Sequence, residues 1–234
     1  GLKAVELFRA VEQGQIKVLW IMATNPAVSL PDAQQVRRAL EKCELVIVSD
    51  CVRHTDTTRY AQVLLPAQAW GEKDGTVTNS ERRISRSRAF LKPAGEAKPD
   101  WWMVAQVAGR LGHGAAFDYP NAAAIFREHA ALSAFENGGT RDFDIGAHSH
   151  ISEKEFHQLA PFQWPRANAL DNTDRRFFAD GGFFTPDRKA RFIAPARPSL
   201  KFATSEEFPF VLNTGRVRDQ WHTMTRTGMS PRLG

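Results

Sequence analysis

Three short apolar runs in the first seventy residues limit the possible fold more than any other feature. They are KVLWIMA at 17–23, LVIVSD at 45–50 and VLLPA at 63–67. An amphipathic helix is predicted over 33–43, between the first two runs, with Asp32 placed to cap it. Apolar strands joined through such crossovers form parallel sheets in right-handed units. We therefore predict an α/β fold, with a doubly wound, mostly parallel sheet that has helices on both faces up to about residue 111.

The ends of these predicted strands are the first candidate sites. In open α/β sheets, ligands bind beyond the carboxyl ends of the strands. Asn25 follows the first run, Ser49 and Asp50 end the second, and a further loop begins after Leu65. No G-x-G-x-x-G follows the first run, which disfavours an ordinary NAD site. We expect a different polar ligand at this edge.

The stretch NTGRVRDQWHT at 213–223 is a second candidate, because its mixture of residues suits a ligand better than a core. The apolar run FPFVL at 208–212 precedes it and is predicted to be a strand. Gly215 lets the backbone approach a ligand, and arginine forks bind phosphate or other anions. The candidate residues are Thr214, Gly215, Arg216, Trp221, His222 and Thr223. Composition alone leaves open the alternative of a solvated basic loop.

Length and composition restrict the class of protein. The 234 residues suffice for one large domain or one domain and part of another, and 42% hydrophobic residues supply a core. The net charge of +5 favours anionic ligands but falls short of a nucleic-acid signature. Cys43 and Cys51 are spaced as neither a disulfide framework nor an iron–sulfur motif, so a reducing compartment is expected. With no signal peptide and no apolar run of ~18 residues, we expect a cytoplasmic protein without a membrane partner.

The arginine-rich loop at 70–90 is predicted to form a short hairpin, because its polar and apolar residues alternate. Several arginines between Glu81 and Arg88 raise the alternative of a nucleic-acid-binding module. Strand alternation divides these side chains between two faces, and no exposed aromatic residues lie between them. We therefore expect no nucleic-acid partner.

Helices and turns are predicted for the rest of the chain. One helix is expected to begin at Asp100 and close at Gly112, and a second to begin after Asn121 and stop at Gly138. Ser152 and Glu155 form a capping box. The Pro-rich segment PFQWPRANA at 161–169 is interpreted as a linker, and FFADGGFFTPDRKARFI at 177–193 as a Gly-Gly hairpin.

His148 and His150 invite the hypothesis of a metal pair. Because no third ligand lies near them in the sequence, a solvated loop is the expected alternative, and no metal residue is assigned.

Several of these segments together resemble a known family. They are TNPAVSLPDA, VSDC, LLPAQAWGEKDGTVTNSERRISR, KPDWW, IFREHAALSAFENGGTRDFDI and LNTGRVRDQWHTMTRTG. In this order they resemble the catalytic subunits of bacterial assimilatory nitrate reductases, in the molybdopterin oxidoreductase family that also contains dimethyl sulfoxide reductase. The resemblance runs along nearly the whole chain and corresponds to the middle-to-late part of such a subunit.

The resemblance implies a cofactor and a reaction. Members bind molybdenum through two molybdopterin guanine dinucleotides, receive electrons from a 4Fe-4S cluster and an electron-donor protein or domain, and reduce nitrate to nitrite. The protein's part is to bind and orient that cofactor. The family's dinucleotide-contacting positions correspond to Asn25, Ser49, Asp50, Lys73, Asp100 and the run 214–223. Asp100 at a helix start is open to the alternative of a simple cap.

The sequence departs from the family pattern at the residues that bind the iron–sulfur cluster and the molybdenum. The family's cysteine cluster and its molybdenum-binding thiolate are absent, so the 4Fe-4S cluster is assigned to other domains of the subunit and no catalytic residue to this chain. We expect a fragment with an α/β domain at 1–160, a linker and hairpin at 161–205, and the incomplete start of a β-barrel domain at 206–234. A formate dehydrogenase-type molybdoenzyme is the alternative within the family.

Overall fold

The computed structural model describes residues 1–168, 170, 174, 176–196, 203–213, 215, 220–221 and 223–232. The chain divides into two units. Unit 1 contains residues 1–65 and 192–234, and unit 2 contains residues 66–191. None of the helices in the described part of the chain has the length and apolar character needed to cross a bilayer.

Unit 1 confirms the predicted strand–helix–strand pattern. Its elements are α1 (Ala4–Glu12), β1 (Val18–Met22), α2 (Pro26–Ser29), α3 (Ala33–Lys42), β2 (Leu45–Asp50), a 3-10 turn (Thr58–Tyr60) and β3 (Val63–Pro66). Strands β1 and β2 pair in parallel from Val18 opposite Leu45 to Met22 opposite Ser49, and the sheet order is β1-β2-β3. The Asp32 side chain caps α3 by accepting from the Gln35 amide at 3.4 Å.

The core of unit 1 lies on one face of its sheet. Alternate residues of β1 and β2 point into it: Leu19, Ile21, Val46 and Val48. They pack with Phe8, Val11, Val36, Ala39, Leu40 and Cys43 from α1, α3 and the residue after α3. The opposite face holds the half-buried Trp20 and Ile47. The apolar runs predicted that both faces of this sheet are covered, whereas this core covers one face.

Unit 2 contains a second sheet that is antiparallel. Its elements are β4 (Gly75–Thr78), β5 (Arg83–Ser87), α4 (Asp100–Ala108), α5 (Ala122–Ala134), α6 (Glu153–Gln158) and β6 (Phe162–Gln163). The hairpin predicted at 70–90 is confirmed by the antiparallel β4–β5 ladder. A π-helical segment (Gly109–His113) follows α4, and 3-10 turns lie at Gly114–Ala116, Gly146–His148 and, in unit 1, Thr227–Met229. The described chain is thus a mixed α/β structure with two three-stranded sheets instead of one mostly parallel sheet.

The helix signals in unit 2 are confirmed in their capping geometry. The Asn121 side chain accepts from the Ala124 amide at 3.0 Å, and Ser152 with Glu155 forms the expected capping box. Gly112 adopts a φ of +92° where the π-helical segment ends. A residue with a side chain is strained in this conformation, which explains why a glycine stands there.

Two predictions for the segment after α6 are corrected. Phe162 and Gln163, inside the expected linker, pair antiparallel with β5, because Phe162 enters the core beside Ile84. The hairpin predicted around Gly181 is absent among the described residues of 177–193. Instead, a tight turn brings the Phe183 amide onto the Arg188 carbonyl at 2.9 Å.

The apolar run at 208–212 does not form the predicted strand. Phe208, Phe210 and Leu212 are exposed, Leu212 to 93%. A strand requires a neighbour that completes its hydrogen bonds, and none of the strands in the described part of the chain pairs with this run.

We therefore expect the amides of residues 210–212 to exchange with deuterium much faster than those of β1 and β2. Exposed backbone outside a ladder lacks the protection that paired strands provide. Hydrogen exchange followed by mass spectrometry checks this, and exchange as slow in 210–212 as in β2 would contradict it.

Candidate functional site

Polar residues are buried where β1 and β2 end. Asn25, Ser49 and Asp50 are exposed to 6%, 1% and 8%, although each has a polar side chain. Ala23 follows β1 with a φ of +53° while its amide donates to the Ser49 carbonyl at 2.9 Å. A left-handed conformation is unfavourable for alanine, and such strain concentrates at functional sites. The assignment of a site to this edge stays a prediction, and the buried polar residues and the strained Ala23 are the geometric reasons to pursue it.

Asn25 is held by the loop after β2. The Thr57 hydroxyl donates to Asn25 Oδ1 at 2.6 Å and accepts from the Ala27 amide at 3.2 Å. Asn25 Nδ2 donates to Asp56 Oδ2 at 3.4 Å. Thr57 is fully buried and was missed by the sequence analysis. A threonine-rich loop directly after a strand end was the signal that could have drawn attention to it.

The Asp50 carboxylate is almost completely buried. Its Oδ1 accepts from the Val52 amide at 3.0 Å and from Arg226 Nη2 at 2.9 Å. Arg226 Nε donates to Cys51 Sγ at 3.4 Å. The hydrogen bond to Cys51 and the charge of Asp50 both raise the pKa of the Arg226 guanidinium. Arg226 lies beyond the run that the sequence analysis selected, and it was missed.

Ser49 lies on the other face of the sheet. Trp20 Nε1 donates to Ser49 Oγ at 2.7 Å, so the hydroxyl is oriented by a neighbouring strand. Because its hydroxyl binds Trp20, Ser49 has a structural role in the sheet in addition to its position at the candidate site.

Thr223, in the run 214–223, is linked to this edge through hydrogen bonds. Thr223 accepts from the Thr225 hydroxyl at 3.0 Å, and Thr225 in turn accepts from Asn25 Nδ2 at 3.0 Å. Gly215 and Trp221 are exposed, Trp221 to 63%. Thr214, Arg216 and His222 lie outside the described residues.

Lys73 and Asp100 contact each other in unit 2. Lys73 Nζ donates to Asp100 Oδ2 at 2.5 Å, and both side chains are about one-third exposed. Asp100 makes no side-chain cap, because its carboxylate turns to Lys73 instead of the first amides of α4. Asp100 Oδ1 is buried and accepts no hydrogen bond from the described part of the chain. An unsatisfied buried acceptor carries a free-energy cost that a donor from a ligand would remove.

The loop after β2 also forms a basic cavity of about 330 Å³. Arg53, His54 and Arg59 line it together with Thr55, Asp56, Thr58 and Leu64. Arg59 Nη2 lies 3.7 Å from Asp56 Oδ1. Two arginines beside a strand edge suit an anion, and neither is among the site residues predicted from the sequence.

The arginines in β5 and directly before it have partners inside unit 2. The Arg86 side chain is 1% exposed, contacts Asp74 at 2.7 Å and lies over the Phe156 ring. Arg82 lies over the Phe177 ring with its guanidinium carbon 3.6 Å from the centroid, and Arg83 pairs with Asp174. These arginines are the ones on which the alternative hypothesis of nucleic-acid binding rests, and they contact residues of unit 2.

His148 and His150 do not form a metal site with other residues that the structure describes. The His148 ring is half-buried and packs 4.3 Å from the Phe162 ring centroid. Burial and the nearby charge of Arg166 lower the pKa of His148. His150 is exposed.

From the lowered pKa of His148 we expect unit 2 to lose stability as the pH falls below about 6.5, the value for an unperturbed histidine. The unfolded chain binds a proton there that folded His148 resists, so the free energy of unfolding decreases toward lower pH. Urea denaturation between pH 5 and pH 8 measures this dependence. His148→Phe should flatten the curve and His150→Phe should not; equal curves for both variants would contradict the assignment.

The sequence of this chain is similar to a known protein family and to several nitrate reductases. Residues 1–110 match the molybdopterin oxidoreductase family. A nitrate reductase from Klebsiella oxytoca is 51% identical over 100% of this chain and 26% of its own length. One from Shewanella frigidimarina is 48% identical over 97% of this chain and 25% of its own length. An assimilatory nitrate reductase catalytic subunit from Bacillus subtilis is 34% identical over 100% of this chain and 32% of its own length.

More distant proteins share the family or the fold. The F420-dependent formate dehydrogenase subunit alpha of Methanocaldococcus jannaschii is 32% identical over 91% of this chain and 29% of its own length. The structure of acetylene hydratase from Pelobacter acetylenicus superimposes with a TM-score of 0.56 at 20% identity, over 79% of this chain and 23% of that protein. The chain spans about a quarter to a third of the length of the nitrate reductases above.

Proposed function

We propose that this chain, whose residues 1–110 match the molybdopterin oxidoreductase family, binds the dinucleotide part of molybdopterin guanine dinucleotide in an enzyme that reduces nitrate. The buried carboxylate of Asp50 at the end of β2 carries this proposal. Its side chain is 3% exposed and accepts from the Val52 amide and Arg226 Nη2, so a ligand that takes the place of Arg226 has to supply a hydrogen-bond donor. Guanine N–H groups and ribose hydroxyls are suitable donors.

The chemistry of the side chains fits such a cofactor. Asp50, Asn25 and Ser49 supply acceptors and donors at the carboxyl edge, where α/β sheets bind nucleotides. In unit 2, the unsatisfied Asp100 Oδ1 is a ready acceptor, and Lys73 is a cation suited to pyrophosphate. The family resemblance assigns further contacts to Thr214, Gly215, Arg216, Trp221, His222 and Thr223.

The protein's own contribution is binding and orientation. When bound, the molybdenum centre supplies the oxygen-atom transfer that converts nitrate to nitrite. The side chains at the β1–β2 edge are held by Thr57, Val52 and Trp20, so their hydrogen-bonding atoms have fixed positions. Fixed donors and acceptors lower the ordering cost of binding a ligand.

We also propose the wider setting. In the full enzyme, a 4Fe-4S cluster held by other domains passes electrons from a donor protein to the metal, in the cytoplasm. Residues 1–160 serve as the α/β cofactor domain, 161–205 connect it, and 206–234 begin the terminal β-barrel domain.

Formate oxidation is the alternative activity, and the similarity to a formate dehydrogenase subunit at 32% identity supports keeping it. The higher identity to nitrate reductases, 51%, favours nitrate.

Assaying the purified full-length enzyme on both substrates tests the proposal. We expect nitrite from nitrate with reduced viologen, and no viologen reduction by formate. The opposite pattern would replace nitrate with formate in the proposal.

A further inference from the structure

Arg226 lies directly on the carboxylate that the proposed function assigns to the cofactor. Its Nη2 donates to Asp50 Oδ1 at 2.9 Å, and its Nε donates to Cys51 Sγ at 3.4 Å. The Asp50 side chain is 3% exposed and that of Arg226 is 45% exposed. Arg226 therefore covers Asp50 from the solvent side, 176 residues away in sequence.

The residues before Arg226 cover a second member of the site. Thr225 accepts from Asn25 Nδ2 at 3.0 Å and donates to Thr223 at 3.0 Å. Met224, between the two threonines, has a φ of +52°. This left-handed conformation is unfavourable for a residue with a side chain. Residues 223–226, here called the cap segment, are thus held on the site at a conformational cost.

We propose that the cap segment closes the Asp50 site and that Arg226 occupies the place of the guanine edge, so that the cap must move before the dinucleotide binds. This inference rests on the proposed function of Asp50. Guanine presents N–H donors on one planar edge, and the planar guanidinium of Arg226 donates to Asp50 Oδ1 through Nη2. Each group satisfies the same buried acceptor.

Because Asp50 is buried, Arg226 and a guanine cannot both bind its carboxylate at the same time. With 3% of its side chain exposed, Asp50 has almost no surface for a guanine while Arg226 is in place. The nucleotide therefore competes with Arg226. Removal of a cation normally weakens the binding of an anionic nucleotide. Because the nucleotide competes with Arg226, removal of this cation should instead strengthen nucleotide binding.

Calorimetric titration of the 234-residue chain with GDP tests the cap. We expect Arg226→Met to bind GDP roughly tenfold more tightly than the wild type. This is the change in affinity that corresponds to one charge-assisted hydrogen bond. Arg226→Lys should fall between them, because an ammonium lacks the planar fork. The matched control is Arg232→Met, which removes an exposed charge six residues after Arg226 in the sequence and should leave GDP affinity unchanged.

Alkylation of Cys51 by iodoacetamide reports on the Arg226 contact without any nucleotide. Cys51 is exposed and Cys43 is buried, so the reagent distinguishes them. Arg226 Nε contacts the Cys51 sulfur and covers it on that side, so Arg226→Met should make Cys51 alkylation severalfold faster. Thermal unfolding of each variant verifies that the fold is intact.

The outcomes separate the two proposals. GDP affinity in Arg226→Met that equals or falls below the wild-type affinity overturns the cap and leaves Asp50 as a nucleotide site. An unchanged Cys51 alkylation rate also overturns the cap, since the contact is then absent in solution. Faster alkylation with no GDP binding to any variant contradicts the nucleotide site itself, and the cap is then contradicted as well.

Discussion

In the full-length enzyme, Asp50→Ala is expected to remove most of the molybdenum and guanine nucleotide from the purified protein. The substitution deletes a buried acceptor from the site where β2 ends. Loss of one charge-assisted hydrogen bond costs about 1.5–3 kcal/mol, or roughly 10- to 150-fold in affinity. Metal analysis and the nucleotide released by acid hydrolysis, each per mole of protein, measure the effect.

A matched control separates this loss from a defect in folding. Glu41→Gln removes an exposed carboxylate from α3 and should leave the cofactor content unchanged. Asp50→Ala should lower the thermal stability of the cofactor-free protein somewhat in any case, because Val52 and Arg226 lose their acceptor. If the substitution merely damaged the fold, the cofactor-free protein would no longer unfold cooperatively. Normal molybdenum and guanine content in Asp50→Ala would remove the reason for assigning this residue to the cofactor.

The 234-residue chain alone is expected to produce no nitrite, even with reduced viologen and the cofactor supplied. It spans 26% of the length of a nitrate reductase that is 51% identical to it. In the proposed full enzyme, the iron–sulfur ligands and the molybdenum-binding thiolate belong to other domains, and a cofactor needs pre-organised ligands from several directions. The expected effect is therefore complete loss of turnover, with guanine-nucleotide binding retained.

Nitrite formation over many turnovers is the measurement, with the full-length enzyme as the positive control under the same conditions. Sustained nitrite production that depends on molybdenum would show that these residues suffice for catalysis. Such a result would contradict the assignment of catalysis to the rest of the subunit.

The strands of unit 1 could be predicted because local signals agreed with the tertiary structure. The apolar residues of β1 and β2 and the cap at Asp32 are each visible within a short window. The second sheet was less predictable. The strand at Phe162 is only two residues long and forms because its side chain enters a distant core beside Ile84.

The candidate site was predictable in its strand ends but not in its partners. Asn25 and Asp50 follow from the rule that ligands bind at the carboxyl edge of a sheet. Thr225 is 200 residues from Asn25 in sequence, and no periodicity or spacing signals a contact at that separation. Lys73 and Asp100 were named separately, whereas their ion pair depends on how the loop before β4 folds onto α4.

An experimental structure of the molybdenum-loaded full-length enzyme tests the central claim most directly. The quantity to read from it is the distance between the Asp50 carboxylate oxygens and the nearest nitrogen or oxygen of the dinucleotide. We predict a hydrogen bond of about 2.7–3.2 Å to the guanine or the ribose, with Arg226 moved away from Asp50. A structure in which Arg226 still contacts Asp50 and no cofactor atom lies within hydrogen-bond distance of that carboxylate would contradict the account.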